Sequence, residues 1–210
     1  MADITGIGAN VYDTLIKLAE FPTEDTKVCV ETVVTSGGGP TGTGLVAAAK
    51  LGASCSIVAV LSTDTGGQFL MSDYVKYGVK TDFIEVRDGE SFSATVLLNS
   101  ATGSRTCLLN RGTLPKLTLN DAQIAEILGS KVFMVDGNEL EAATRVAEMV
   151  QKNRETGRSA TKILYDAGGR YPGVEKLLPL VDILIPSAEF ARSFTGKEML
   201  EEAVRKLFAQ

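Results

Sequence analysis

The residues best suited to binding chemistry lie in the glycine-rich run SGGGPTGTG, which leads directly into the apolar segment LVAAAKLG. Gly37, Gly39 and Gly42 have the G-x-G-x-x-G spacing that, in dinucleotide-binding proteins, brings backbone amides against a pyrophosphate. Asp64, after the strand-like SIVAVLS, stands where a ribose-binding acid is expected. However, a strand with its own glycines already precedes the loop, and Pro40 removes an amide from it. Both features argue against a dinucleotide site.

Two interpretations of this loop stay open. A Walker-type phosphate loop is excluded, because Gly42 is followed by Thr43 and Gly44 instead of lysine and a hydroxyl residue. The glycines could serve only a tight connection from strand to helix. Alternatively, bare backbone at a helix N-terminus, with one polar side chain, could bind a small polyhydroxylated ligand.

The composition excludes several other kinds of site. The 210 residues contain no histidine and three widely separated cysteines, Cys29, Cys55 and Cys107. This excludes a Cys/His zinc site, a Ser-His-Asp triad and histidine acid–base catalysis. We expect the cysteines to be buried apolar residues of a reducing compartment. The net charge of −5, without a basic run, argues against a nucleic-acid partner.

Membrane and secretion signals are also missing from the sequence pattern. No apolar run reaches the length of a membrane span, and MADITGIGAN lacks the charged and apolar regions of a signal peptide. We therefore expect a cytoplasmic protein without a membrane partner. With 44% hydrophobic residues, the chain can bury a substantial core.

Strand-like and helix-like segments alternate along the chain. Short apolar runs that end in Gly, Asp or Pro are typical of buried parallel strands, and strand-like runs occur at 3–9, 56–62, 131–137, 162–168 and 182–187. Apolar residues at helical spacing predict helices over 139–153 and 198–208. The alternation predicts an α/β sandwich with a parallel sheet.

Segments 26–36 and 92–112 do not follow this alternation. Both are rich in β-branched residues, and the second divides at SATGS into a predicted antiparallel hairpin. We predict that they form a small β-sheet projecting from a single domain that spans residues 1–210. An apolar face on such a sheet needs a cover, either a ligand cleft or a second subunit.

The order of the motifs resembles the PfkB (ribokinase-like) family of carbohydrate kinases. GANVYD is similar to the family's first-strand G-x-x-x-x-D, which implies that Asp13 hydrogen-bonds sugar hydroxyls. GGGPTGTGLVAAAKLGA resembles the diglycine motif and the helix after it. Gly38 and Gly39 would then contact the sugar, and Thr43 stands where most members have asparagine. ATGSRTCLL resembles the G-x-R-T hairpin of the family's lid, which adds Arg105 to the implied sugar-binding residues.

Four further residues are implied on the nucleotide side. DAGGRYPG resembles a strand-end Asp-x-Asn-x-Arg motif, of which Asp166 and Arg170 are kept. ILIPSAEFARSFTG resembles the N-x-x-E segment that organises Mg²⁺ and phosphates. Ser187 stands for the asparagine, and Glu189 lies one position before the family's glutamate. The resemblance implies ATP and Mg²⁺ as cofactors of a complete family member, with Glu189 as the metal ligand.

The resemblance covers essentially the whole chain and implies its fold. We expect a three-layer α/β/α ribokinase-like sandwich with a mostly parallel central sheet and a small β-sheet lid, the C-terminal part of the fold being missing. The implied reaction is ATP-dependent, Mg-assisted phosphoryl transfer to a hydroxyl of a monosaccharide or related polyol. The family's Asp-Thr-x-Gly-Ala-Gly-Asp motif, which supplies the base and the anion hole, does not occur in the 210 residues. We therefore expect no catalytic residue here and a catalytically incomplete chain.

One alternative comes from a different class of protein. The same cleft and lid would also suit a non-catalytic sugar-binding or dimerising module, with a homodimer formed through the lid. Such a module would bind a sugar without binding ATP.

Overall fold

The computed structural model describes residues 1–208, which contain ten strands, seven α-helices and one short 3-10 helix (Leu178–Leu180). In chain order, the strands are β1 (Ile4–Ile7), β2 (Val11–Leu18), β3 (Thr32–Gly38), β4 (Cys55–Ser62), β5 (Val79–Arg87), β6 (Ser93–Asn99), β7 (Arg105–Asn110), β8 (Val132–Val135), β9 (Lys162–Ala167) and β10 (Ile183–Pro186). The helices are α1 (Pro40–Lys50), α2 (Thr65–Lys76), α3 (Asp121–Gly129), α4 (Leu140–Glu155), α5 (Val174–Leu177), α6 (Ala188–Thr195) and α7 (Leu200–Phe208).

Six strands form the central sheet in the order β10-β9-β8-β1-β4-β5, and every neighbouring pair is parallel. The predicted parallel sheet is therefore confirmed. Its two middle strands, β8 and β1, are mostly apolar because helices cover both faces of the sheet. The chain runs outward from β1 to β5 on one side and returns through β8 to β10 on the other.

Two hydrophobic clusters on opposite faces of the sheet make the three layers. Successive side chains of a strand alternate between faces, so Ile57 belongs to the cluster with Leu45 of α1 and Tyr74 of α2. Val58 belongs to the opposite cluster, which includes Val146 of α4. The three-layer α/β/α sandwich expected from the sequence is confirmed.

The remaining four strands form a second sheet, the lid, in the order β3-β2-β6-β7. The predicted hairpin is confirmed, because β6 and β7 pair in antiparallel register. Strand β2 pairs in parallel with β6 and in antiparallel with β3. Since β2 follows β1 after only three residues, the chain passes directly from the central sheet into the lid.

The structure corrects three details of the expected lid and cysteines. Strand β2 was not anticipated, although VYDTLIKL alternates between two partly apolar faces. The segment 26–36 is a strand only from Thr32 onward. Of the three cysteines expected to be buried, only Cys55 is; Cys29 and Cys107 are exposed.

No helix within residues 1–208 combines the length and the apolar character needed to cross a membrane.

Candidate functional site

A cleft of about 760 Å³, the first cleft, opens between the lid and the carboxyl ends of the central strands. In parallel α/β sheets this edge is where ligands bind, because loops from several strands converge there. Its walls include Asn10 after β1, Phe92 and Arg111 at the base of the lid, and Asn138 and Glu139 after β8. The cleft thus brings together residues that are far apart in the sequence.

Asp136 is buried directly behind the wall of this cleft, next to the lining residues Gly137 and Asn138. Its side chain is only 1% exposed, and it follows β8 directly. One carboxylate oxygen accepts hydrogen bonds from the backbone N–H of Ala9 at 2.9 Å and of Thr41 at 3.2 Å. The other accepts from the backbone N–H and the side-chain amide of Asn138, both at 2.9 Å. Asp136 therefore fixes the exit of β1, the start of α1 and the loop after β8 relative to one another.

The glycine-rich loop joins the lid strand β3 to helix α1. Gly39 begins the helix with φ of 93°, a conformation that favours glycine, and a Cβ there would overlap the carbonyl oxygen of Ala9. In a dinucleotide-binding fold, the glycine-rich loop follows a strand of the central sheet. Here it follows the lid strand β3, which argues against a dinucleotide site.

Asp13 lies on β2 directly beside this loop. A Cβ on Gly38 would overlap the Asp13 carboxylate, so glycine is required for their close approach. Asp13 is half-buried, and burial raises the pKa of its carboxyl above the ordinary value. The predicted residues Asp13, Gly38 and Gly39 are therefore adjacent in the structure.

Thr43 lies one turn into α1 with an exposed side chain. Together with Gly38 it lines a second cleft of about 520 Å³ that runs along α1 and α2. Tyr74 of α2 lines this second cleft. Its hydroxyl donates a hydrogen bond, 2.5 Å long, to the side-chain oxygen of Asn10, which lines the first cleft. The two clefts therefore share a wall.

Arg105 lies at the far end of the lid. Asp13 pairs with Ala94, which pairs with Leu109, and Arg105 lies four residues before Leu109 at the start of β7. At the rise of an extended strand, Arg105 and Leu109 are about 13 Å apart along β7, and Asp13 lies two strands away from Leu109. The structure does not bring Arg105 to Asp13 within one chain, and its role in sugar binding stays a prediction.

Two of the predicted nucleotide-side residues lie at the carboxyl ends of β9 and β10. Asp166 is half-buried, and burial, followed by the charge of Asp136, raises the pKa of its carboxyl. The Ser187 hydroxyl accepts from the backbone N–H of Phe190 at 3.0 Å and donates to the carbonyl of Gly168 at 3.0 Å. Ser187 therefore caps α6 and fixes the loop after β9.

Arg170 and Glu189 are both exposed. Arg170 pairs with Glu175 at 3.1 Å and lies over the ring of Phe194, and it forms no ion pair with Asp166. Glu189 is in the first turn of α6. None of the four predicted nucleotide-side residues lines the first or the second cleft.

Glu139 lines the first cleft but was not among the predicted residues. Burial raises the pKa of its carboxyl, although the positive charge of Lys116 and a hydrogen bond from the backbone N–H of Leu117 at 3.3 Å oppose this. One feature of the sequence could have identified Glu139 as a candidate site residue. Glu139 comes two residues after the apolar run 131–137, at the sheet edge where ligands bind.

Asp64 has a structural role instead of the ribose contact that its position first suggested. It caps α2 by accepting from the backbone N–H of Gly67 at 2.8 Å, and it accepts from both the backbone N–H and the hydroxyl of Ser91. Burial would raise the pKa of its carboxyl, but the hydrogen bonds from Ser91 and Gly67 outweigh burial and lower it. Asp64 thereby joins α2 to the segment that enters β6.

Comparisons with known proteins agree with this architecture. The family model for pfkB family carbohydrate kinase matches residues 1–210. Mouse ketohexokinase is 21% identical over 208 residues, which are 97% of this chain and 69% of that protein. A putative ribokinase from Agrobacterium tumefaciens superposes with a TM-score of 0.83 at 23% identity, covering 98% of this chain and 66% of its own.

The structure of Arabidopsis thaliana ribokinase complexed with ribose and ATP superposes with a TM-score of 0.78 at 22% identity. The match covers 99% of this chain and 69% of the ribokinase. The chain therefore spans about two thirds of the length of these proteins, and the likeness to them at such identity shows a shared fold.

Proposed function

Because the chain belongs to the PfkB family of carbohydrate kinases, we propose that it provides the sugar-binding side of an ATP-dependent kinase. The reaction transfers the γ-phosphoryl group of ATP to a hydroxyl of a monosaccharide or related polyol. The observation that carries this proposal is the contact of the Asp13 carboxylate with the Gly38–Gly39 turn, at the N-terminus of α1 and the base of the lid.

Asp13 has the chemistry that a sugar hydroxyl requires. Burial raises its pKa, and within residues 1–208 no hydrogen bond from the protein counters that effect. Its lone pairs are therefore free to accept hydrogen bonds from ligand hydroxyls. Because glycine at position 38 has no side chain, the carboxylate packs directly against the backbone of the turn, so a sugar bound there would contact both.

Nucleotide and metal would lie on the other side of the acceptor. Mg²⁺ in phosphoryl-transfer sites is held by one or two carboxylates together with nucleotide phosphates, and it neutralises charge on those phosphates. Within residues 1–208 no three His, Cys, Asp or Glu side chains form a metal cluster. Glu189 and Asp166 fit only a metal held mainly by the nucleotide. We propose Glu189 as its protein ligand.

We assign no catalytic base to residues 1–210. A base must deprotonate the attacking hydroxyl, and an anion cradle must stabilise the transferred phosphoryl group. We propose that these 210 residues alone bind sugar but do not turn over ATP. Measuring ATP turnover with a panel of sugars tests this, and clear turnover would contradict it.

Sugar binding tests the central part of the proposal. Calorimetric titration of ribose, fructose and related polyols should give heat with at least one of them. Asp13→Ala should weaken that binding roughly 10- to 100-fold, since a hydrogen bond to a charged group contributes about 1.5–3 kcal/mol. Asp82→Ala, the same change at an exposed position of β5, is the matched control. Equal affinity in Asp13→Ala, or no heat with any sugar, would refute the assignment.

A second candidate function, a non-catalytic module that dimerises through the lid, is favoured by the exposed apolar residues of the lid. Val33 and Leu108 are each more than half exposed on its outer strands, and the strand register places both on the face opposite to Asp13. Water contact with such residues is unfavourable, and a second copy would remove it. Sedimentation should show a dimer that Val33→Ser with Leu108→Ser dissociates, whereas Val75→Ser, exposed on α2, should not. A monomeric wild-type protein would refute this candidate.

A further inference from the structure

Two cations of the first cleft converge on a single neutral residue, Asn138. The Arg111 guanidinium donates to the side-chain oxygen of Asn138 at 2.9 Å, and the Lys116 ammonium donates to its backbone carbonyl at 3.4 Å. Arg111 enters from the end of β7, whereas Lys116 belongs to the loop before α3. The fold therefore brings two positive charges to one place from two different segments.

Neither cation forms a direct ion pair with a carboxylate of residues 1–208, although the charge of Lys116 reaches the Glu139 carboxylate. In the part of the chain that the structure describes, no ion pair within 4.0 Å includes Arg111 or Lys116. The acceptors on Asn138 are neutral, so they orient the cations without cancelling their charge. An arginine has five N–H donors and a lysine three, and most of these remain available to a ligand.

Asn138, which positions the two cations, is itself held in place by hydrogen bonds. Asp136, 1% exposed, holds both the backbone N–H and the side-chain amide of Asn138. This orients the Asn138 oxygen toward Arg111. The guanidinium also lies 4.7 Å above the ring of Phe92, which restricts it from the lid side. A buried carboxylate thus positions a pair of surface cations through one asparagine.

Other charged groups also surround the first cleft. Glu139, Glu141 and Arg145 line it, and the buried Asp136 carboxylate lies behind Asn138, so three cations are balanced by three carboxylates. The Glu139 carboxylate accepts from the backbone N–H of Leu117, and the Asp136 carboxylate is occupied by four N–H donors. Arg111 and Lys116, in contrast, are exposed at the lid-side wall and can donate to a ligand.

We propose that Arg111 and Lys116 form a subsite for a phosphoryl group at the lid-side wall of the first cleft. Paired arginine and lysine donors suit the oxygens of a phosphate dianion. The phosphoryl group has two possible sources, a phosphate ester already present on the sugar acceptor or the phosphates of the nucleotide. The subsite's place beside a sugar rests on the proposed function, but binding of phosphate itself does not.

Titration with inorganic phosphate tests the subsite directly. Calorimetry on the 210-residue protein should show binding that Arg111→Gln and Lys116→Gln each weaken at least fivefold, and that the double variant weakens at least tenfold. Arg158→Gln and Lys176→Gln, exposed changes away from the cleft, are the matched controls and should leave binding unchanged. Circular dichroism and thermal melting verify that each variant is folded.

Two outcomes would overturn the subsite. One is undiminished phosphate binding in the folded double variant. The other is a wild-type protein that binds ribose but gives no heat with phosphate at tens of millimolar. The second outcome would leave the sugar site intact, so failure of the subsite is distinguishable from failure of the proposed function.

Two further titrations identify the source of the phosphoryl group. If the acceptor carries it, ribose 5-phosphate should bind more tightly than ribose, and Arg111→Gln should remove the difference. If the nucleotide supplies it, ATP should compete with inorganic phosphate, and Arg111→Gln should weaken ATP while ribose and ribose 5-phosphate stay equal. Either result supports the subsite, whereas no effect of Arg111→Gln on any phosphorylated ligand contradicts it.

Discussion

Replacing Asp136 by asparagine removes the charge that joins three segments around the first cleft. The carboxylate accepts four N–H hydrogen bonds, two at each oxygen. Asparagine has one oxygen, so it keeps two of these bonds and directs its own N–H groups at the other two donors. A hydrogen bond to a charged group contributes about 1.5–3 kcal/mol, and removal of a buried charge returns part of that loss. We expect a net destabilisation of about 3 kcal/mol.

Urea unfolding measures this change. The midpoint should fall without a change in slope, and the melting temperature should fall by roughly 6–12 °C for a domain of this size. Asp82→Asn, an exposed carboxylate on β5, makes the same chemical change and should stay within about 0.5 kcal/mol of wild type. A loss below about 1 kcal/mol in Asp136→Asn would refute the reasoning, because the four hydrogen bonds would then contribute little.

Other predictions concern the same packing. Gly8→Ala should destabilise by about 1–3 kcal/mol in urea, since a Cβ there would overlap the Asp136 carboxylate, whereas Gly168→Ala, with open space, should lose nothing. Asp64→Ala should cost about 1–2 kcal/mol through loss of the α2 cap. Because folding lowers the pKa of Asp64, its ionised form stabilises the protein above the unfolded pKa of about 3.9, and this contribution is lost as pH falls through the folded pKa. The difference between wild type and Asp64→Ala should therefore shrink in acid, and a difference that grows would contradict the assignment.

The sequence allowed prediction of the elements whose pattern is local. The apolar run SIVAVLS predicts a buried strand because a parallel strand between two helical layers is apolar on both faces. Likewise, SATGS between two β-branched segments predicts the lid hairpin. Strand β2 was missed because it continues from β1 after three residues, with no turn motif to mark its start.

The arrangement of the site depends on contacts between residues far apart in the sequence, which no local sequence pattern reveals. Asp13 and the diglycine turn were identified from the resemblance to a family, and the structure places them side by side. Asp136, by contrast, has three partners of which two lie 95 and 127 residues away, so its importance follows only from the strand order that puts β8 beside β1. The same holds for Arg111 and Lys116, which meet at Asn138 through the position of the lid.

The most direct test of the central claim is a crystal structure of the protein with a bound monosaccharide. We predict that the sugar lies at the base of the lid, with at least one hydroxyl within hydrogen-bonding distance of the Asp13 carboxylate and another at the Gly38–Gly39 turn. A sugar bound elsewhere, without contact to Asp13, would contradict it.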